Sequence, residues 1–319
     1  MFYCPNCPSD YAQLTDDGCC RNDECFGEPL LMGPRPGSGG GGHAEPAGTV
    51  EGLCILVCDV SASMDEAAFT NNPAPKLKLV VGAMQRAIAE LQHMAKADTA
   101  YIAIVAFGRN AGIVKDPSGK PFFKSVSSII AEFGERAVDL PGYLYPYFKE
   151  DKGKFGRGET DITGALDHAR EIVDCMMRRD LSPLGVNASA QLMEHTDIIT
   201  QDGQQLSVPN IRVMIYSDGA HGSRVHPQLV NAFADLSPSP VMTAFIGDDE
   251  GGPLVKKGID QMRSLANICP EHGQRGFFLI NEPERHAVLR NLFRMASGAS
   301  GFCEQCLNRD VQAFETVRG

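Results

Sequence analysis

The sequence is short of basic residues and has no long apolar run. Lys and Arg number 29 against 40 for Asp and Glu, which gives a formal net charge of −11 at pH 7. This balance, without any Lys/Arg-rich run, opposes binding to a phosphate backbone, so we expect no nucleic-acid partner. No apolar run approaches the ~20 residues that span a bilayer, and the N-terminus lacks the pattern of a signal peptide. We therefore expect a cytoplasmic protein with no membrane partner.

The length and the cysteine content bound the class of protein. A chain of 319 residues that is 43% hydrophobic can bury one large core and still carry a small appendage. Two of its eleven cysteines, Cys54 and Cys58, lie four residues apart in an apolar run. They share one face of a strand and are expected to pack as small hydrophobic residues. A reducing compartment fits this usage.

Residues 1–32 have the cysteine spacing of a zinc site. The four thiolates predicted to bind Zn²⁺, in two knuckles of a zinc ribbon, are Cys4, Cys7, Cys20 and Cys25. Cys19 is adjacent, and either Cys19 or Cys20 is the third ligand. Four thiolates leave no open coordination position, so we expect a structural zinc that supplies most of the folding free energy of this short segment.

A Gly- and Pro-rich segment, residues 33–49, is predicted to be a flexible linker. We place the main domain at residues 50–298 and a C-terminal tail at residues 299–319. The tail holds Cys303 and Cys306, a lone CxxC that either completes a metal site with N-terminal cysteines, forms a redox pair or binds nothing. Because the N-terminal cluster already has four ligands, we favour a self-contained ribbon.

From residue 50 onward, short apolar runs alternate with helical patterns. Strands are predicted at residues 53–58, 101–107, 211–216, 241–246 and 277–280. Helices are predicted at residues 77–94, 164–177, 226–236, 254–266 and 283–295. The alternation predicts an α/β fold with a doubly wound, mainly parallel sheet flanked by helices. Residues 108–158 and 180–209 fit this scheme poorly and are expected to be elaborated surface loops.

Polar side chains follow the first predicted strand at the point where it ends. The six apolar residues 53–58 are typical of a central strand buried on both faces, and Asp59, Ser61 and Ser63 come directly after them. In open α/β sheets, ligands bind at the carboxyl ends of the strands. Carboxylate and hydroxyl oxygens are ligands that Mg²⁺ or Mn²⁺ prefers. The sequence therefore predicts a divalent-cation site at this edge.

Two further loops can reach the same edge of the sheet. Thr160 is expected to open a helix as its N-cap, and Asp218 follows another predicted strand. Thr163 lies in the same loop as Thr160 and competes with it as a ligand. His221 is the one histidine expected near the metal, although an ordinary position on the loop surface is the simpler interpretation.

Taken together, the three loops resemble the metal-ion-dependent adhesion site of a von Willebrand factor A domain. The residues that carry the resemblance are Asp59, Ser61, Ser63, Thr160 and Asp218-Gly219. The resemblance covers about residues 50–298 of the chain. The segment 158–166 is also similar to the corresponding loop of the intracellular bacterial TerY-like branch of that family.

The resemblance implies a binding site rather than a catalytic one. Ser61, Ser63 and Thr160 would be hydroxyl ligands, and Asp59 and Asp218 would bind the metal directly or through water. Neutral hydroxyls leave the metal electrophilic, and Mg²⁺ commonly retains water. An Asp or Glu of a partner protein can then replace a water, which is how members of this family hold their partners.

The TerY-like relatives imply a biological setting and a set of partners. They are linked to tellurium resistance and to stress or phage-defence systems, sometimes beside a protein kinase and a phosphatase. A second hypothesis is an adaptor subunit of an AAA+ ATPase or a chelatase-type complex. A third is a metal-dependent phosphatase-like hydrolase, but haloacid-dehalogenase-like enzymes need a second Asp where this chain has Ser61, and the Gly-x-Ser-x-Gly elbow of serine hydrolases is missing.

Overall fold

The computed structural model describes most of the chain between residues 49 and 281, together with a short segment near the C-terminus. The described residues are 2–3, 31–32, 49–69, 72–92, 97–150, 155–156, 160–186, 189–190, 195–199, 203, 205–209, 211–219, 241–247, 252–281, 303–306 and 308. The predicted ligands of the zinc ribbon lie outside them. So do most of the predicted linker, the predicted helices at residues 226–236 and 283–295, and His221.

Seven strands form the central sheet. They are β1 (Gly52–Asp59), β2 (Ala100–Phe107), β3 (Ala111–Ile113), β4 (Phe123–Ser125), β5 (Ile211–Ser217), β6 (Val241–Ile246) and β7 (Phe277–Ile280). Their order is β7-β6-β5-β1-β2-β3, and β4 also pairs with β2. The five longest strands of the sheet, β1, β2, β5, β6 and β7, are parallel to one another, whereas β3 and β4 run antiparallel to β2. The predicted fold class is confirmed.

Helices and short strand pairs complete the described residues. The α-helices are α1 (Lys76–Leu91), α2 (Val126–Phe133), α3 (Leu140–Lys149), α4 (Ile162–Arg178) and α5 (Pro253–Leu265). Turns of 3₁₀ helix span Ala62–Asp65, Glu135–Ala137 and Ser182–Leu184. Outside the sheet, Ala67–Phe69 pairs with Asn72–Pro75, His195–Ile199 with Gln205–Pro209, Thr49–Val50 with Ser189–Ala190, and Phe2–Tyr3 with Leu31–Met32. None of the described helices combines the length and the apolar character needed to cross a membrane.

β1 is covered on both faces because successive side chains of a strand point to opposite sides. Leu56 and Cys58 join the core that also contains residues of α1, while Ile55 and Val57 join the core that contains residues of α4. Burying each aliphatic side chain contributes about 1.5–3 kcal/mol. Cys54 packs on the same side as Cys58, as predicted, and burial raises the pKa of both thiols. A register shift by one residue would exchange the two cores.

The prediction of surface loops for residues 108–158 is wrong. This stretch forms β3, β4, α2 and α3, and it buries Ile129, Leu144 and Phe148 in the core on the α1 side. The helical pattern of α3 is hidden by two prolines. Pro141 lies in the first turn, where a missing N–H is tolerated, but Pro146 lies inside the helix and removes one of its hydrogen bonds.

The strand order fixes where a ligand can bind. β1 lies between β2 and β5, so the order of the parallel strands reverses between β1 and β5. In open α/β sheets, such a reversal opens a crevice outside the carboxyl ends of the two strands. Asp59 ends β1 and Ser217 ends β5, and the register pairs Tyr216 with Cys58 immediately before them. Asp59, Ser217 and the following Asp218 therefore meet at the crevice.

Candidate metal-binding site

Asp59 is held at the crevice by two hydrogen bonds. Its side chain is completely buried, and Asp218 is 6% exposed. The Ser217 hydroxyl donates to Asp59 Oδ2 at 2.6 Å, and the Ser61 backbone N–H donates to Oδ1 at 2.9 Å. The Gly219 N–H in turn donates to Ser217 Oγ at 2.9 Å. Ser217 is a residue of the site that the sequence analysis missed, although it lies directly before Asp218.

Two carboxylates share this buried crevice, and the pKa of Asp59 reflects it. Burial raises the pKa of Asp59 to about 7, and the charge of Asp218 acts in the same direction. The hydrogen bonds from Ser217 and Ser61 lower the pKa but do not outweigh these effects. A nearby cation favours the ionised form of a carboxyl group. The carboxylates of Asp59 and Asp218 are therefore suited to bind a cation.

Two serine hydroxyls lie side by side in the turn after β1. Ser61 is 3% exposed and Ser63 is half-buried, and their Oγ atoms are 3.0 Å apart. Met64, fully buried in the core next to Ser63, anchors the 3₁₀ turn that holds them. Three of the predicted ligands, Asp59, Ser61 and Ser63, are thus linked by a continuous chain of short hydrogen bonds.

Thr160 is placed at the same edge through its neighbour. The Asp161 N–H donates to Gly108 O at 2.6 Å, and Gly108 follows Phe107, which pairs with Asp59 in the sheet register. Thr160 itself is 5% exposed. The structure thus brings the Thr160 loop to the end of β2, beside the turn after β1.

The prediction that Thr160 is the N-cap of α4 is wrong. The cap is Asp161, whose Oδ1 accepts a hydrogen bond from the Gly164 N–H at 2.9 Å. A carboxylate caps well at this position because it satisfies an N–H of the first turn and opposes the helix dipole. Thr160 is therefore outside the helix, while Thr163 lies in its first turn. The choice between them as a ligand stays a prediction.

Lys76 is a second site residue that the sequence analysis missed. Its ammonium group donates to Asp218 Oδ2 at 3.0 Å and to Ser63 O at 3.3 Å, with the side chain only 11% exposed. Lys76 is the first residue of α1, an end of the helix where a cation is unfavourable because of the helix dipole. A basic residue at the start of a predicted helix is visible in the sequence, and this unusual position could have marked Lys76 as a site residue.

Replacing Lys76 with Met is expected to tighten Mg²⁺ binding and to destabilise the metal-free protein. The substitution removes a positive charge that competes for Asp218, so we expect the Kd for Mg²⁺ to fall by about tenfold, which corresponds to ~1.4 kcal/mol. It also removes one partner of a buried ion pair, which lowers the free energy of unfolding by roughly 3–5 kcal/mol. Calorimetric titration and denaturant melts in chelator measure the two effects.

Lys257→Met is the matched control, because Lys257 is exposed on α5. It should change neither the Kd nor the melt. A weaker affinity for Mg²⁺ in Lys76→Met would mean that Lys76 positions Asp218 for the metal instead of competing with it.

The residues at the crevice fit a hard divalent cation. The donor set consists of oxygen atoms and includes two buried carboxylates, those of Asp59, whose pKa burial raises, and of Asp218, which already attracts the Lys76 ammonium. The residues that would hold the ion are Asp59, Ser61, Ser63, Thr160 and Asp218. This set contains no thiolate or imidazole, which would favour softer metals.

The cysteines of the predicted C-terminal tail lie elsewhere. Cys303 and Cys306 are fully buried and contact Cys269 and His272, in the loop that leads into β7. Neither Cys269 nor His272 was singled out in the sequence analysis. The predicted ribbon cysteines are outside the described residues. A metal site shared with Cys269 and His272 is therefore a further alternative for Cys303 and Cys306, beside the three given by the sequence.

No protein-family profile matches this sequence, and no curated protein sequence matches it. Solved structures do align with it. A structure of von Willebrand factor type A from Catenulispora acidiphila is 16% identical, over 79% of this chain and 44% of that chain, with a TM-score of 0.41. The manganese-loaded TRAP protein of Plasmodium vivax is 14% identical, over 76% of this chain and 73% of that chain, with a TM-score of 0.42.

A third structure is proximal thread matrix protein 1 from the mussel byssus, with a zinc-occupied MIDAS motif. It is 14% identical, over 80% of this chain and 49% of that chain, with a TM-score of 0.42. This chain thus spans about half the length of two of the three proteins. At identities and TM-scores this low, the assignment of the fold rests on the strand order and register of the chain itself.

Proposed function

We propose that this chain is a metal-dependent protein-interaction module of the von Willebrand factor A type, which binds an acidic side chain of a partner protein. The observation that carries the proposal is the pair of buried carboxylates, Asp59 and Asp218, beside the adjoining hydroxyls of Ser61 and Ser63 at the reversal of strand order. When bound there, Mg²⁺ or Mn²⁺ supplies a Lewis-acidic position to which a carboxylate can add in place of water.

The side chains of the crevice have distinct tasks in this proposal. Ser61 and Ser63 contribute neutral oxygens, so that they add no negative charge to that of Asp59 and Asp218. Ser217 holds Asp59 in one orientation through the 2.6 Å hydrogen bond. Lys76 neutralises Asp218 when no metal is bound, through the ion pair at 3.0 Å. These tasks are binding and positioning, and none of them requires a nucleophile.

The geometry favours binding over hydrolysis. In a phosphatase of the haloacid-dehalogenase kind, the strand-end Asp would have to attack the substrate as an exposed carboxylate. Asp59 is completely buried, and both of its oxygens accept hydrogen bonds. We therefore expect p-nitrophenyl phosphate to be hydrolysed no faster by the wild-type protein than by Asp59→Asn.

The biological setting belongs to the proposal as well. The TerY-like segment supports a role in a bacterial stress, tellurium-resistance or phage-defence system in the cytoplasm. A kinase, a phosphatase or an ATPase of the same system is then the proposed partner. The N-terminal cysteines would hold a structural Zn²⁺ in the same chain.

A chelator-dependent capture experiment tests the proposal. The full-length protein is immobilised with Mg²⁺, exposed to extract of its native host, and eluted with EDTA, and the eluted partner is then purified. Binding of this partner should require Mg²⁺, and it should be lost in Ser63→Ala and retained in Asp260→Asn, whose carboxylate is exposed on α5. Partner binding that is identical with and without Mg²⁺ in all three proteins would overturn the metal bridge.

A further inference from the structure

A cluster of three cysteines and a histidine lies away from the crevice, where two chain segments with CxxH and CxxC spacing meet. Cys269-Pro-Glu-His272 belongs to the loop between α5 and β7, and Cys303-Glu-Gln-Cys306 lies near the C-terminus. The ligand atoms of these four residues all lie within 4.8 Å of one another. We propose that Cys269, His272, Cys303 and Cys306 bind a structural Zn²⁺ that fastens the C-terminal segment to the α/β domain.

The distances within the cluster are those of a tetrahedron around zinc. Zn–S bonds of about 2.3 Å and Zn–N bonds of about 2.0–2.1 Å place two sulfurs about 3.8 Å apart, and a sulfur and a nitrogen about 3.6 Å apart. The Cys306 sulfur lies 3.7 Å from that of Cys303 and 3.8 Å from that of Cys269. His272 Nδ1 lies 3.7, 3.4 and 3.3 Å from the sulfurs of Cys269, Cys303 and Cys306. The four atoms thus already have the spacing of a closed site.

The orientation of His272 also suits a metal ligand. Its Nδ1 faces the three sulfurs, while Nε2 lies 3.7 Å from a carboxylate oxygen of Glu271. A histidine that binds zinc commonly gives its other N–H to a carboxylate, which fixes the ring and the tautomer. Glu271 is in the right place for that role.

Hydrogen bonds of the surrounding loop position the CxxH pair. The Cys269 N–H donates to Gln274 O at 2.6 Å, and the Gly273 N–H donates to Cys269 O at 2.8 Å. Asn267 exchanges hydrogen bonds with Val241, the first residue of β6, because its N–H donates to Val241 O at 2.9 Å and its Oδ1 accepts from the Val241 N–H at 2.6 Å. These hydrogen bonds therefore fasten the loop to the start of β6.

The three sulfurs are buried side by side. Cys269 is 1% exposed, and Cys303 and Cys306 are fully buried. The Cys303 thiol donates a hydrogen bond to the Cys306 sulfur at 3.7 Å. Three buried sulfurs beside one imidazole nitrogen are a ligand set of the kind that zinc binds.

The site has no open coordination position. It lies at the amino ends of the strands, whereas the crevice lies at their carboxyl ends. Four protein ligands complete a tetrahedral shell, which is the arrangement of structural zinc. The loop precedes β7 and contacts the first residue of β6, whereas Asp59 is the last residue of β1. The zinc would therefore stabilise the fold without taking part in the proposed partner contact.

Measuring the zinc content of the full-length protein tests this inference. The wild-type protein and the double variant Cys303→Ser/Cys306→Ser are purified under reducing conditions, and zinc per chain is determined by mass spectrometry. We expect the double variant to lose one zinc per chain, whatever the N-terminal cysteines bind. Cys175→Ser, a substitution of a buried cysteine in α4, should retain the wild-type content.

His272→Cys keeps the test decisive where the double variant does not fold. This change converts the ligand set from three thiolates and an imidazole to four thiolates, so zinc content should be unchanged. In the cobalt-substituted protein, the sulfur-to-metal charge-transfer band should become more intense. Equal zinc in the wild type and the double variant, or a cobalt spectrum unaltered by His272→Cys, would overturn the proposal.

Discussion

Replacing Asp59 with Asn is expected to abolish stabilisation of the protein by Mg²⁺ while making the metal-free protein more stable at neutral pH. Wild-type protein with Mg²⁺ at a hundred times its Kd should gain about 2.7 kcal/mol of unfolding free energy. The variant should gain nothing, because it loses the one carboxylate that hydrogen bonds fix at the end of β1. Melts with Mg²⁺ and with EDTA measure both effects.

The pH dependence of the metal-free protein follows from the raised pKa of Asp59. The pKa is about 7 in the folded protein, above the ordinary 3.8, because of burial and the charge of Asp218. The folded state therefore holds the proton more tightly, and this contribution to stability is complete below pH 4 and lost as the pH rises to about 7. We expect Asp59→Asn to match the wild type at pH 4 and to exceed it at pH 8 by on the order of 4 kcal/mol.

Asp260→Asn provides the control for these measurements, because its carboxylate is exposed on α5. It should follow the wild type at every pH and in both metal conditions. Metal-free Asp59→Asn that is less stable than the wild type at pH 8 would show that the ionised carboxylate of Asp59 is already compensated without a metal.

Replacing Gly258 with Ala is expected to destabilise the protein, although the same change inside a helix normally stabilises by about 1 kcal/mol. Gly258 lies in α5, and a Cβ there would be 2.5 Å from Gly219 O. The contact is with backbone rather than with a flexible side chain, and Gly219, whose φ is +70°, directly follows Asp218. We expect a net loss of about 1–3 kcal/mol together with weaker Mg²⁺ binding, because the loop that carries Asp218 must shift.

Gly142→Ala is a control of opposite sign. Gly142 also lies within a helix, α3, but nothing lies within 4 Å of the position of its Cβ. Denaturant melts should show Gly142→Ala at or above wild-type stability, with an unchanged Kd for Mg²⁺. A Gly258→Ala protein that binds Mg²⁺ like the wild type would show that the contact with α5 does not position Asp218.

The parallel strands were predictable because their sequence pattern needs no partner to be recognised. The runs at residues 53–58, 101–107 and 241–246 are apolar on both faces, as a covered central strand requires, and the structure places strands there with ends shifted by at most a residue. The helices of residues 108–158 were missed because Pro141 and Pro146 obscure α3 and because α2 is a single short element. The local sequence pattern fails to predict an element where tertiary packing determines its structure.

The crevice was predictable in part, and the cysteine cluster was not. Asp59 and Asp218 each follow a recognisable strand, so the parallel sheet alone brings them to one edge. Lys76 contacts Asp218 across 142 positions of sequence, and no local pattern connects them. Cys269 and Cys306 are likewise 37 positions apart, and a single CxxH in a loop carries no signal until the second pair is folded against it.

The central place of β1 has a consequence for the order of folding. β1 can pair with β2 as soon as residue 107 has been synthesised, but its other edge must wait for residues 211–217 of β5. Until then, this fully buried strand has one row of unpaired backbone groups, an exposed edge of the kind that promotes aggregation. The strand pairing that creates the crevice is thus among the contacts of longest range in the chain and can form only after two thirds of it exist.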